Sequence, residues 1–144
     1  MPLPLSTIAD DLLEEVLARL IALPVIAPVD SIRRDHRTTI TRDAAPAVHL
    51  VDGTETPTPM TNDCYVKTEL AFMISIFVRD DAGYGAAKPI KIAVMAAVDP
   101  ETAYPHSADL LRGRIISQQE IADADALRVD MEFSFKYQSP LWAL

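Results

Sequence analysis

Two long runs of alternating residues predict the paired core strands of a sheet. In residues 64–79, CYVKTELAFMISIFVR, the even positions form one mostly apolar row. In residues 126–138, apolar and polar side chains alternate strictly. A period of two puts each apolar row on one face of a strand. We therefore expect two antiparallel neighbours that share a buried face.

The odd row of the first run changes character along its length. Lys67 and Glu69 are polar, whereas the later odd positions are Ala71, Met73, Ser75 and Phe77. The first half of this row is expected to face water, and the second half to be covered by a helix or a neighbouring subunit. A strand of this length would reach about 50 Å, well beyond the common strand length. We expect a bend, a bulge or an arm that projects from the body.

Apolar positions at spacings of three and four predict two amphipathic helices. The first begins near Thr7 and ends near Ala22, because Pro24 disfavours helical geometry in the residue before it. Its early turns are acidic, which suits a helix N-terminus; these residues are Asp10, Asp11, Glu14 and Glu15. The second helix spans about residues 87–98, with Pro89 in its first turn.

Weaker patterns fill the segments between these elements. Residues 30–43 are rich in β-branched types and predict a polar edge strand or a paired strand. Residues 47–51 predict a short strand that ends in a turn at Asp52 and Gly53. Residues 54–63 hold two prolines without periodicity, which indicates a loop.

These elements predict a single domain over residues 1–144. Residues 113–122 form a hairpin with the last strand. The expected fold class is α+β, a mainly antiparallel mixed sheet of about four to five strands with two helices packed on one face. The loop 53–63 and the tail 139–144 are expected to extend from the core.

Composition excludes several classes of function. The formal net charge of -8 opposes binding that rests on neutralising phosphates, so no specific nucleic-acid binding is expected. The single cysteine forms no internal disulfide, and no paired Cys or His spacing suits zinc. The N-terminus lacks a basic segment, and the longest uncharged apolar run is broken by Pro24 and Pro28. We therefore expect no signal peptide and no membrane span, and synthesis in the cytoplasm.

The sequence contains no recognisable catalytic constellation, and we expect no catalytic, cofactor-binding or metal residues. His49 fits a core or subunit-contact imidazole, and Cys64 a buried thiol. Residues 99–109 fit a solvated loop between helices rather than a metal site. The alternative from a different class is a small cytoplasmic α+β enzyme or ligand-binding domain. It requires a pocket that joins at least two of His49, Cys64 and the 99–109 loop.

Candidate interface residues lie in three places. The basic segment 30–43 suits an acidic surface of another subunit or a solvated strand face, and its arginines are Arg33, Arg34, Arg37 and Arg42. Lys67 and Glu69 lie on the wet side of the long strand. Trp142 belongs to an apolar tail that docks on its own core or inserts into a neighbour.

The order of elements, with the segments ELAFMISIFVRDD and LRVDMEFSFKYQ, resembles the tail-terminator proteins of long-tailed bacteriophages, the minor tail protein U group and its relatives in contractile tails. The resemblance covers residues 8–138. It implies a homohexameric ring that caps the tail tube, stops tube polymerisation and offers a surface to the neck of the head. The implied partners are the chain itself, the tail tube protein and a neck or head-completion protein.

The same resemblance implies residence in the virion, at the tail or neck, where the genome passes through the ring. It implies no catalysis, no cofactor and no membrane. The alternative within the same machine is another neck or tail-completion protein.

Overall fold

The fold is α+β, with two helices on one face of an open sheet. The structure, a computed structural model, describes residues 7–22, 32–34, 46–59, 65–79, 83–98, 103–111, 115–121 and 126–140. The helices are α1 (Thr7–Ile21) and α2 (Ala87–Ala97). The strands are β1 (Ile32–Arg34), β2 (Ala47–Pro59), β3 (Tyr65–Arg79), β4 (Asp109–Leu111), β5 (Ile115–Ile121) and β6 (Ala126–Pro140). Short 3₁₀ turns cover Tyr84–Ala86 and Pro105–Ser107.

The two alternating runs of the sequence form the centre of the sheet. The strand order is β1-β2-β3-β6-β4, and β5 pairs with another part of β6. β3 and β6 are antiparallel over their whole lengths, from the pair Tyr65 and Pro140 to the pair Arg79 and Ala126. This confirms the predicted pairing, and the hairpin of β5 with β6 is confirmed as well.

The core lies between the sheet and the helices, on what we call the front face. β3 contributes its even row, including Phe72, Ile74 and Ile76, which are buried together with the apolar row of β6. Phe72 stacks on Phe133 and Phe135 with ring centroids 5.6 and 5.4 Å apart. α1 adds Leu12, Leu13, Val16 and Leu20, and α2 adds Ile90 and Val94. The helices therefore cover one face, as their amphipathic spacing predicts.

β2 is longer than expected, so the predicted turn at Asp52 and Gly53 is wrong, and so is the predicted loop 53–63 as far as Pro59. Residues 60–63 of that loop lie outside the described residues. The strand continues to Pro59 and pairs with β3 as far as Val66. The register shifts between Asp52 and Glu55, which marks a β-bulge rather than a chain reversal. The segment after the bulge is strand because β3 offers it a ladder, although its own residues show no apolar alternation.

The other differences concern short strands. Within the described residues the sheet has six strands against the four to five expected, and two of the six hold three residues each. β1 pairs in parallel with β2 through Ile32 and Val48 and is the described part of the predicted 30–43 strand. β4 falls at the end of the predicted 99–109 loop. Tyr104 in that loop is buried, and its hydroxyl donates to the Val98 carbonyl oxygen at 2.7 Å, which ties the loop to the end of α2.

Candidate assembly surfaces

The long strands end in a region that we call the distal sheet, and β4 pairs with Phe135 and Lys136 where this region begins on β6. The distal sheet consists of residues 55–59 of β2, 65–70 of β3 and 135–140 of β6, which pair in register. β2 forms one edge, because β1 pairs only with Val48–Leu50 among the residues that the structure describes. Pro57 and Pro59 provide no N–H groups, so they weaken this edge as a template for another strand. A partner of the distal sheet is thus expected to use its side-chain face.

The back face of the distal sheet is polar. Lys67 and Glu69 are exposed here, as predicted. Glu69 lies opposite Lys136 on β6, an arrangement of opposite charges that stabilises neighbouring strands. Thr56 and Thr58 are also exposed on β2. The surface therefore carries both signs of charge beside small hydroxyl groups, a composition suited to the polar rim of an interface.

The front face of the distal sheet is closed by contacts within the chain. Val66, Thr68 and Tyr137 are buried. The Tyr137 hydroxyl donates to a carboxylate oxygen of Glu55 at 2.6 Å, which joins β6 to β2 across β3. The Thr68 hydroxyl is buried with no hydrogen-bond partner in the described part of the chain. The side chains that the distal sheet leaves accessible are therefore those of the back face and the strand ends.

Arg34 sits in an ionic network inside the chain. Its guanidinium donates two hydrogen bonds of 2.9 Å to the two carboxylate oxygens of Asp52 on β2. Its Nη1 atom lies 2.8 Å from Asp10 and 2.5 Å from Glu14, both on α1. The Arg34 side chain is only 14% exposed, so these ion pairs are largely shielded from water on the arginine side. Arg34 thus ties the helix to the sheet edge.

These contacts raise the pKa of Arg34 above its usual range, chiefly through the hydrogen bond to Asp52, while burial acts in the opposite direction. A raised pKa of a cation means that its stabilising effect is fully present at every pH below the pKa of the arginine in the unfolded chain. Arg34 consequently remains charged over the whole pH range in which the protein would be studied.

Arg34→Met is expected to lower the free energy of unfolding by about 1–3 kcal/mol. The change leaves Asp52, which is itself only 20% exposed, without its bidentate donor. Urea titration followed by far-UV circular dichroism measures the loss. Lys67→Met is the matched control, since Lys67 is exposed, and its effect should stay within about 0.5 kcal/mol. Equal midpoints for the two variants would contradict the structural role of Arg34.

The remaining candidate interface residues lie in less defined places. Arg33 is the middle residue of β1. Arg37, Arg42 and Trp142 lie outside the described residues, as does Cys64. Their roles at an interface stay predictions.

The back face of the central sheet holds a buried polar cluster. β-sheet register sets His49, Ser75 and Asp130 side by side on β2, β3 and β6. All three are buried, and the Ser75 hydroxyl donates to a carboxylate oxygen of Asp130 at 2.6 Å. The His49 ring packs against Phe77 with centroids 4.9 Å apart. In a hydrolytic triad the histidine stands between serine and aspartate, whereas here the serine does.

This cluster agrees with one expectation and overturns another. Phe77 and Ser75 are buried and Ala71 and Met73 half-buried, so the second half of the odd row is withdrawn from water as predicted. The helices offered as its cover pack on the front face instead. Asp130 belongs to the polar row of the last strand, which the alternation predicts to face water, and for this residue the prediction is wrong. Its carboxylate is buried with two partners: the Ser75 hydroxyl donates to one oxygen at 2.6 Å, and Arg128 Nε lies 3.3 Å from the other. Such partners compensate for the burial of a charged group.

An open groove of about 260 Å³ lies beside the bulge of β2. It is lined by Val51, Asp52, Gly53, Thr54, Ala71, Phe72, Met73 and Glu132. The histidines are not among these residues. His106 instead lies on the helix side, where its Nε2 atom is 2.9 Å from Asp11 of α1, while His49 lies on the back face. The groove is therefore not the joint pocket that an enzyme or ligand-binding domain using these histidines requires.

No group of three or more His, Cys, Asp or Glu side chains is arranged to hold a metal ion within the part of the chain that the structure describes. Nor does that part contain a helix of the length and apolar character needed to cross a membrane.

Comparisons with known proteins give a similarity of structure. Neither a scan against protein-family models nor a search of curated proteins finds a match for this chain. Among solved structures, the chain is similar to a chain in the virion of a native gene transfer agent (GTA) particle. The TM-score is 0.62 at 19% sequence identity, and the match covers 92% of this chain and 98% of that chain. The likeness is one of fold.

Proposed function

We propose that this chain is a structural protein of a phage-like particle. The observation that carries the proposal is the extent of the fold similarity, which spans 92% of this chain and 98% of a chain from a GTA virion. A match over nearly the full length of both chains supports an equivalent building block rather than a shared fragment. Because one fold can serve several functions, an assembly assay with the tube protein is needed to test the proposal.

Within such a particle, the role that we propose is that of a tail terminator. Copies of the chain form a ring, hexameric by the resemblance to the tail-terminator group, which caps the tail tube and presents a surface to the neck. The order of helices and strands supports this role, and so does the distal sheet with its exposed Lys67 and Glu69. The chain acts through assembly, without catalysis.

The direct test is polymerisation of the tube protein of the same particle with and without the purified chain. Electron microscopy gives the distribution of tube lengths and the occupancy of tube ends. A terminator is expected to stop growth and to add a ring at one end. Ile74→Asp, which is expected to unfold the chain, is the negative control. Tubes of unchanged length with bare ends would contradict the proposal.

Lys67→Glu tests the distal sheet as a contact surface. The variant is expected to weaken binding to tube ends or to neighbouring copies about 5-fold or more, because charge reversal at an interface places like charges together. Its urea midpoint should match that of the wild type, since Lys67 is exposed. Lys67→Arg keeps the charge and is the matched control. If Lys67→Glu binds as tightly as the wild type, Lys67 is not part of the interface.

A neck or tail-completion protein is the second candidate, because the same fold similarity supports any structural role in the particle. The tube assay separates the two: a neck protein leaves tube length unchanged and binds tubes that already carry their terminator.

A further inference from the structure

The outward stripe of α2, formed by the exposed residues Lys88, Pro89, Ile92 and Ala96, is more apolar than a helix surface that faces only water. Ile92 lies at its centre with 63% of its surface exposed. Pro89 and Ala96 flank it, and Lys88 lies one turn before it. α2 contains no acidic residue, although the chain as a whole carries a net charge of -8. The stripe thus combines an apolar centre with a basic end, which is the composition of an interface core and its rim.

The outward stripe of α1 has the complementary character. Asp11, Glu14, Ala18 and Ile21 follow one another at spacings of three and four, and all are exposed. The first half of the stripe is therefore acidic and the second half apolar. Ile21 is 39% exposed, and it and Ile92 are the large apolar side chains exposed to this degree in the described part of the chain.

The two stripes match residue by residue when the helices lie parallel. With Glu14 beside Lys88, the same four-residue step brings Ala18 beside Ile92 and, one step further, Ala22 beside Ala96. Each step advances about 6 Å along either helix, so the register is kept. The small side chain of Ala18 leaves room for that of Ile92, and a carboxylate meets an ammonium group at the other end.

We propose that the α2 stripe of one copy docks on the α1 stripe of a second copy. The occupant is another copy because the acidic and apolar surface that fits α2 belongs to this chain. Glu14 and Asp11 already contact Arg34 and His106, but their side chains are 56% and 49% exposed. A carboxylate has about four acceptor positions, so each accepts a further donor.

This contact joins two different patches and is therefore heterologous. Each copy carries both patches, so the contact repeats from copy to copy and closes into a ring when the rotation between copies allows it. The inference thus rests on the proposed function, to which it adds the surfaces that hold the ring together. A contact between the helices leaves the distal sheet of each copy available for the tube.

The test uses two variants that are matched across the contact, Ile92→Glu and Ala18→Lys. Each alone is expected to raise the concentration for half-association about 30-fold or more, which is the effect of a central interface residue. An equimolar mixture is expected to regain association, because the introduced carboxylate then faces the introduced ammonium group. Sedimentation velocity over a concentration series measures the association of the wild type, of each variant and of the mixture. Thr54→Glu adds the same charge at an exposed site beside the bulge of β2, outside both helices, and should change nothing.

The outcomes separate this inference from the proposed function. If the wild type associates and Ile92→Glu associates equally well, the helix contact is wrong while the ring stands. If the wild type remains monomeric with the tube protein present, the proposed ring fails and the helix contact fails with it. If the wild type forms only a dimer that shows the same pattern of loss and rescue, the helices dock as inferred but the ring is contradicted. Urea midpoints confirm that each variant is folded.

Discussion

Ile74→Asp is expected to unfold the subunit. Ile74 is fully buried at the centre of the sheet, paired with Leu50 on β2 and Met131 on β6. Burial of a large aliphatic side chain stabilises a fold by about 1.5–3 kcal/mol, and a buried unpaired carboxylate costs several kcal/mol more. Together these approach the whole stability of a domain, about 5–15 kcal/mol. Far-UV circular dichroism and urea titration should show no cooperative transition.

The matched control is the same substitution at an exposed isoleucine. At protein concentrations too low for association, Ile92→Asp should keep a cooperative urea transition with a stability within about 1 kcal/mol of the wild type, because 63% of Ile92 is exposed in the single chain and only helix propensity changes. Ile74→Val removes one buried methyl group and should cost about 1 kcal/mol. A wild-type urea midpoint for Ile74→Asp would show that this row is not the core.

Gly53→Ala is expected to disrupt the bulge of β2. A Cβ atom at this position would lie 1.9 Å from the carbonyl oxygen of Ala71 and 2.6 Å from its carbonyl carbon. These are backbone atoms of the neighbouring strand, so no side-chain rotation relieves the overlap and the two strands must move apart. We expect a loss of about 3 kcal/mol in the free energy of unfolding, at the upper end of overpacking effects.

Gly85→Ala is the control for this prediction. A Cβ atom at Gly85 meets nothing within 4 Å, so this change should be neutral or slightly stabilising. Urea titration compares the two variants. Hydrogen exchange gives a second reading, since opening of the bulge should speed exchange of the amides at Glu55 and Thr56 beyond it. Equal stability of the two glycine variants would mean that the strands do not approach closely at Gly53.

The central strands were predictable because their patterns are local. A period of two is visible in each strand separately, and the apolar rows of β3 and β6 require a common buried face. The helices were predictable for the same reason, with Pro24 marking the end of α1 close to Ile21. The fold class follows from these four elements.

The longer β2 was not predictable in the same way. Its second half contains Pro57 and Pro59 and no apolar alternation, and it is a strand because β3 extends beside it. Asp52 and Gly53 form a common turn dipeptide, yet here the glycine serves the close approach of Ala71. The sequence signal for a bulge and for a turn is the same, and only the partner strand distinguishes them.

The ionic network of Arg34 and the buried pair of Ser75 and Asp130 depend on long-range contacts. Arg34 stands in a run of basic residues, which suggested a surface for a partner, whereas its carboxylate neighbours come from α1 and β2. Asp130 alternates with apolar residues like any solvent-facing position. Ser75 was the available signal, as a polar residue inside an otherwise apolar half-row. Neither pairing has a fixed spacing that a sequence pattern would reveal.

The mass of the native assembly tests most directly the proposal that this chain forms a ring in a phage-like particle. Native mass spectrometry of the purified chain, alone and with the tube protein, measures that mass. The expected result is one dominant assembly with six times the 15.8 kDa of the chain. A single species of 15.8 kDa under both conditions would contradict this proposal.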